Sequence, residues 1–153
     1  MNFRACFCVG VIASIVLSSA TLRAREYRGM KKQNVDLKSA TTLVFGPEDI
    51  LFIGDSKAAT VFAVATGHSG VGSHEQSIQI DDVLAKLAAY TKAEEVAVQD
   101  LVVNPRTGTP FLAVHADQKP LIVKVIGNSD FEVLDLHACP SSSAVLNDAP
   151  EDK

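Results

Sequence analysis

Cysteine is scarce in this chain, and the few thiols present cannot build a disulfide framework. Only three cysteines occur among 153 residues, and two of them, Cys6 and Cys8, lie in an apolar N-terminal segment. If that segment is removed, Cys139 is the single remaining thiol, so no disulfide can form within one chain. The fold must therefore be stabilised by the burial of apolar surface.

The N-terminal segment is also too short to span a membrane. Residues 5–17 are apolar apart from Gly10 and Ser14, whereas a spanning helix needs roughly 20 apolar residues. Arg4 precedes this run and the small residues 18–20 follow it, which is the three-part pattern of a secretory signal peptide. We expect a signal peptide over residues 1–20, with cleavage after Ala20 or after Ala24, and an uncleaved membrane anchor as the alternative. The mature protein is then secreted or periplasmic, with no stable membrane span.

Positive charge is sparse in the body of the chain. From Ser39 onward there are seven basic and 16 acidic residues, a net charge of −9. An acidic body does not attract nucleic acid, so no nucleic-acid partner is expected. Six basic residues precede Ser39 in residues 21–39, which we interpret as a basic, flexible leader. The alternative is contact with anionic lipid or a partner surface.

Short apolar runs separated by Gly, Pro and Asp dominate residues 40–136. Such runs at this spacing predict antiparallel strands joined by tight turns. The predicted strands cover residues 41–45, 50–53, 60–65, 78–80, 96–103, 111–115, 121–126 and 131–136. Between the two sets, residues 81–90 place Val83, Leu84 and Leu87 at helical spacing behind a capping aspartate, which predicts one inserted helix. Residues 137–153 are interpreted as a polar tail that adds no strand.

The two strand sets resemble each other as repeats. Residues 43–47 align with residues 101–105 at an offset of 58. When extra residues are allowed in the second turn, residues 51–53 align with 112–114, and residues 61–64 with 122–125. A four-stranded repeat of this size is the unit of a β-propeller blade.

A family resemblance lies in the turn motifs of these repeats. Residues 43–55, LVFGPEDILFIGD, resemble the F-x-P-D-G-x-L-F-V-x-D unit of NHL-like and gluconolactonase-like six-bladed β-propellers, with Asp49 at the usual turn glycine. Residues 104–108, NPRTG, resemble the N-P-x-T-G turn of the same superfamily. The resemblance covers residues 40–136 and implies two propeller-like blades. These motifs are structural and occur with many functions, so they predict fold rather than activity.

Two blades are fewer than the four to eight that close a propeller. The sequence therefore predicts the N-terminal blades of a larger propeller, with several assembled copies as the alternative. Exposed strand edges and blade faces would then cause self-association unless the missing blades are present.

Candidate ligand contacts are Asp55 and His115, which end predicted strands where side chains would reach the mouth of a propeller. The resemblance implies that acidic rim residues such as Asp55 bind a divalent metal, whereas an aspartate after a strand also commonly binds turn amides. His68 and His74 match no standard metal-ligand spacing. The loop at residues 67–73 lacks the lysine of a phosphate-binding loop. No catalytic triad can be assembled from the sequence.

These features lead to three functional hypotheses. The first is a non-catalytic binding or scaffolding module outside the cytoplasm that recognises an unidentified ligand or protein. The second is the first part of a metal-dependent, lactonase-like propeller hydrolase, which would require a divalent metal. The third is an inactive fragment of a longer reading frame.

Overall fold

A computed structural model of the protein describes residues 27, 29–67, 78–127, 129–137 and 139–147. The strands in these residues are β1 (Lys31–Gln33), β2 (Thr42–Phe45), β3 (Ile50–Asp55), β4 (Thr60–Ala65), β5 (Val96–Val103), β6 (Pro110–Ala116), β7 (Lys119–Ile126), β8 (Asp130–Val133) and β9 (Cys139–Val145). One helix, α1 (Val83–Thr91), lies between β4 and β5, and a short 3-10 turn covers Pro47–Asp49. The expected mainly β architecture with one inserted helix is confirmed. The predicted signal peptide lies outside the described residues.

The first sheet has the strand order β1-β9-β4-β3-β2, with antiparallel neighbours throughout. Strands β2, β3 and β4 form a meander because turn residues separate three short apolar runs. In its register, Val44 pairs with Phe52, and Phe52 pairs with Ala63. Strand β9 then brings the chain back to this sheet and pairs with β4 from Thr60 to Val64.

The predicted tail and the predicted leader both contain strands in the structure. The predicted polar tail over residues 137–153 contains β9, which forms because the edge of β4 offers backbone groups that require partners. The predicted flexible leader over residues 21–39 contains β1, and its Val35 and Leu37 are buried in the core. Residues 78–80, by contrast, do not form the predicted strand.

The second sheet is a four-stranded antiparallel meander with the order β5-β6-β7-β8. A β-bulge lies between Val98 and Asp100 of β5, and a bulge re-aims the side chains that follow it. Asp100 Oδ2 accepts a hydrogen bond of 2.7 Å from the amide of Leu43 in β2. The bulged strand thereby satisfies a backbone donor of the first sheet.

The main core lies between the two sheets. Leu51 and Ile53 of the first sheet are fully buried there against Phe111 and Ile122 of the second. Phe45 packs edge-on against Phe111, with ring centroids 5.2 Å apart. We call the contacting sides the inner face of the first sheet and the near face of the second. Their opposite sides are the outer face and the far face.

The two sheets stack with their equivalent faces pointing in the same direction. Leu51 lies on the inner face of the first sheet, and its repeat counterpart Leu112 lies on the far face of the second. Phe52 lies on the outer face of the first sheet, and its counterpart Ala113 lies on the near face of the second. Equivalent faces therefore point in the same direction, so the packing follows the repeat rather than pairing equivalent faces.

Helix α1 covers part of the far face. Asp82 caps its N-terminus by accepting a hydrogen bond of 2.9 Å from the amide of Ala85, and Lys92 ends it in the left-handed conformation. Leu87 is fully buried against the sheet, whereas Leu84 remains 51% exposed. Tyr90 contacts Phe131 with ring centroids 6.0 Å apart.

The described strands form two stacked sheets, and they do not close into a propeller. Among the described residues, no helix has the length and apolar character needed to cross a membrane.

Candidate functional site

Asp55, the first predicted ligand contact, is 1% exposed at the end of β3. Its carboxylate accepts hydrogen bonds from the amides of Lys38 (2.6 Å), Ser39 (3.0 Å) and Ala58 (2.9 Å), and from the Ser39 hydroxyl (2.7 Å). Burial alone would raise the pKa of Asp55, but these hydrogen bonds outweigh it and hold the pKa below its ordinary value. The arrangement keeps an ionised carboxylate inside the protein as an anchor for the backbone.

His115, the second predicted contact, lies at the end of β6. Its Nε2 atom accepts a hydrogen bond of 3.3 Å from the amide of Ala40. A nitrogen that accepts cannot carry a proton, so this contact requires a neutral ring with the proton on Nδ1. The ring also lines a shallow, mixed-polarity cleft with Lys57, Glu95 and Gln118.

The two predicted residues bind the same short segment. Asp55 holds the amides of residues 38 and 39, and His115 holds the amide of residue 40. We call residues 38–40 the strap, because it leads into β2 across the ends of both sheets. The described contacts of both side chains are thus structural, and their role in ligand binding stays a prediction.

The second repeat contains a similar carboxylate clamp that the sequence analysis missed. Asp117, after β6, accepts hydrogen bonds from the amides of Glu94 (3.0 Å) and Glu95 (2.9 Å), just before β5. This clamp could have been predicted from the sequence, because an aspartate follows the second predicted strand of each repeat. Anchoring of the segment before the first strand is therefore a property of both repeats.

A further cluster joins the turns that follow the first strand of each repeat. Asp49 is 2% exposed and forms an ion pair with Arg106 at 2.9 Å, and it accepts a hydrogen bond of 3.3 Å from Asn104 Nδ2. Glu48 and Asp49 both have positive φ angles, of 59° and 64°, a conformation that favours glycine. Asp49 occupies the usual glycine position of the turn motif, and its buried contacts compensate for that backbone conformation.

An apolar concavity lies between α1 and the far face of the second sheet. Its volume is about 550 Å³. The walls come from α1, from residues 78–80 and from strands of the second sheet. The lining residues are Ile78, Ile80, Val83, Leu84, Val98, Leu101, Pro110, Leu112 and Val125. We call this concavity the α1 pocket.

The outer face of the first sheet is a second exposed apolar surface. Val44 is 54% exposed and Phe52 is 37% exposed, and the two are directly paired across β2 and β3. The Phe52 ring lies over Gly46, where a Cβ atom would come within 2.5 Å of the ring. We define the outer face by Val44, Phe52, Val61 and Ala63.

Metal-binding chemistry has no assembled donor set in the described part of the chain. No group of three or more His, Cys, Asp or Glu side chains is positioned there to hold a metal ion. His68 and His74 lie outside the described residues. Cys139 is buried, and burial raises the pKa of its thiol.

Comparisons of the chain with protein-family models, with curated proteins and with solved structures found no match. Its function is therefore inferred from the geometry of its own residues.

Proposed function

We propose that this protein is an exported, non-catalytic binding and scaffolding module built from blade-like sheets. On this proposal, the outer face of its first sheet docks against a further blade-like sheet. The proposal is supported by the way the two sheets stack, with the equivalent faces of both pointing in the same direction.

Stacking of this kind has a direct consequence for the outer face. In the second sheet, the face equivalent to the outer face is the near face, where Ala113 and Ile122 are fully buried by the first sheet. In the first sheet, the corresponding row leaves Val44 and Phe52 exposed. Repeat units bury such faces against neighbouring units. The occupant that continues the existing contact is a further blade-like sheet presenting a face equivalent to the inner face.

Exposed apolar area also provides the energy for this contact. Burial of apolar surface contributes about 25 cal/mol per Å², and aromatic and branched aliphatic side chains suit sheet-to-sheet packing. Charged side chains are absent from the four residues that define the outer face. Docking at the outer face therefore removes no charged group of these four residues from water.

Sedimentation velocity over a range of protein concentrations tests the docking proposal. The chain should self-associate as concentration rises, because the outer face of a second copy, with its exposed Val44 and Phe52, supplies an apolar sheet face when no further blade is present. Val44→Lys should weaken that association by at least about tenfold, since a buried unpaired ammonium is strongly unfavourable. Val133→Lys, at the edge of the second sheet, serves as the control.

A chain that remains monomeric at every concentration would contradict the proposal. Equal weakening by both valine substitutions would also contradict it, because the association would then not involve the outer face specifically.

Export is proposed from the three-part pattern of residues 1–20. Mass spectrometry of extracytoplasmic protein should find a mature N-terminus after Ala20 or Ala24. Recovery of the chain with Met1 attached would disprove cleavage.

A further inference from the structure

The α1 pocket has the dimensions and walls of a small-molecule site. Its volume of about 550 Å³ falls within the roughly 300–1,000 Å³ range of ligand pockets. Leu84 of α1 and Leu101 of β5 both line it, and they remain 51% and 57% exposed. These two leucines would gain burial from an occupant, and neither is required by the existing core.

The chemistry of the lining selects the occupant. Every side chain that lines the pocket is aliphatic or proline, with no aromatic ring and no polar group among them. A ligand that buries amide or hydroxyl groups there would lose hydrogen bonds with water and gain none from these side chains. An extended peptide carries such groups at every residue, whereas a saturated hydrocarbon chain carries none.

Charge near the pocket restricts the rest of the ligand. Asp81 and Asp82 are exposed and lie in sequence between the lining residues Ile80 and Val83. Asp82 already caps the first turn of α1, so the helix N-terminus is occupied by a carboxylate. Two carboxylates beside the pocket disfavour an anionic headgroup and favour a neutral or cationic one.

We propose that the α1 pocket binds a saturated hydrocarbon chain that carries a neutral or cationic headgroup. This site lies on the far face of the second sheet and does not depend on docking at the outer face of the first. A second copy is a less suitable occupant, because a flat sheet face cannot enter a concavity walled by a helix.

Isothermal titration of the full chain with three 12-carbon amphiphiles, below their micellar concentrations, tests the proposal. The probes are dodecyl maltoside, dodecyltrimethylammonium and dodecanoate. We expect one site per chain for the first two, and an affinity for dodecanoate lower by about threefold or more. Replacing both Asp81 and Asp82 by Asn, which still caps helices, should remove that headgroup preference.

Leu101→Gln should weaken binding of dodecyl maltoside by about tenfold, because it replaces an apolar wall by an amide. Leu146→Gln is the matched control, since it makes the same chemical change just after β9 at a position that is 56% exposed, and it should bind normally. Leu84→Gln provides a second pocket variant on a different element. Circular dichroism of each variant establishes that it is folded.

Three results would overturn the proposal. The first is no saturable binding of either favoured probe. The second is equal binding by folded Leu101→Gln, Leu84→Gln and Leu146→Gln chains. The third is binding that disappears as protein concentration rises, which would place a second copy in the pocket.

Discussion

The two sheets contain segments that align as repeats, yet their outward-facing sides are covered by other elements to different extents. Helix α1 lies on the far face of the second sheet and buries Leu87 completely. The outer face of the first sheet leaves Val44 and Phe52 exposed among the described residues. An insertion between repeats can thus cover one end of a stack, while the other end keeps exposed apolar side chains.

The two turns that link the sheets also differ, although their positions correspond. The turn in the second repeat is organised by Asn104, whose side chain accepts hydrogen bonds from the amides of Arg106 and Thr107. The turn in the first repeat contains Asp49, whose side chain is bound by Asn104 and Arg106 of the second repeat. The first turn thus depends on the second, which couples the stability of the two sheets.

The strongest test of the comparison uses two phenylalanines on opposite faces. Phe111 is fully buried between the sheets, and Phe52 is 37% exposed on the outer face. Phe111→Ala should lower the free energy of unfolding by about 3–5 kcal/mol. Phe52→Ala should cost much less, about 1 kcal/mol or below. Equal losses in urea denaturation would show that the outer face is buried as deeply as the core between the sheets.

A second test examines whether α1 packs against the far face of the second sheet. Leu87→Ala should reduce the free energy of unfolding by about 2–5 kcal/mol, because it leaves a cavity under the helix. Leu84→Ala makes the same chemical change one turn earlier in the same helix, at a position that is 51% exposed. Thermal unfolding should separate the two variants clearly. Equal shifts would mean that α1 does not pack against the sheet.

A smaller effect is expected from the Asp55 clamp, and it depends on pH. The pKa of Asp55 is lower in the folded protein than its ordinary value of 3.8. Its ionised form therefore stabilises the fold fully above that ordinary value, and the contribution is lost as pH falls through the folded pKa. Asp55→Asn should lower the urea midpoint at pH 7 and flatten its decline below about pH 4.

The control for this clamp is Asp117→Asn in the second repeat. Asp117 is exposed and its carboxylate accepts two amide hydrogen bonds, whereas Asp55 is buried with four donors. Its substitution should therefore cost less stability at pH 7. A loss as large as that of Asp55→Asn would show that burial of the first clamp contributes nothing.

Much of the fold could be predicted because apolar runs and turn residues alternate regularly. The predicted bounds of β4 and β5 agree with the structure, and those of β3, β6 and β7 differ by one or two residues at an end. Strand β9 could not be predicted, because its Pro and three serines give little local preference for a strand. Pairing with β4 decides its conformation, and such tertiary context overrides local propensity.

The candidate sites were harder to predict, because their contacts join distant parts of the chain. Asp55 was recognisable as a strand-end carboxylate, but three of its four donors come from the strap, 16 and 17 residues earlier. Asp49 and Asn104 are 55 residues apart. The α1 pocket depends on how α1 lies across the far face. None of these contacts between distant parts of the chain can be inferred from the spacing of the residues in the sequence.

Photo-cross-linking at position 52 tests most directly whether the outer face docks another sheet. A benzophenone side chain in place of Phe52 should produce cross-linked dimers on irradiation, because the outer face would contact a sheet of another copy. The same group in place of Val133 should produce few dimers. Docking at the outer face is contradicted if position 52 yields no intermolecular cross-links, or no more than position 133, at concentrations where the chain self-associates.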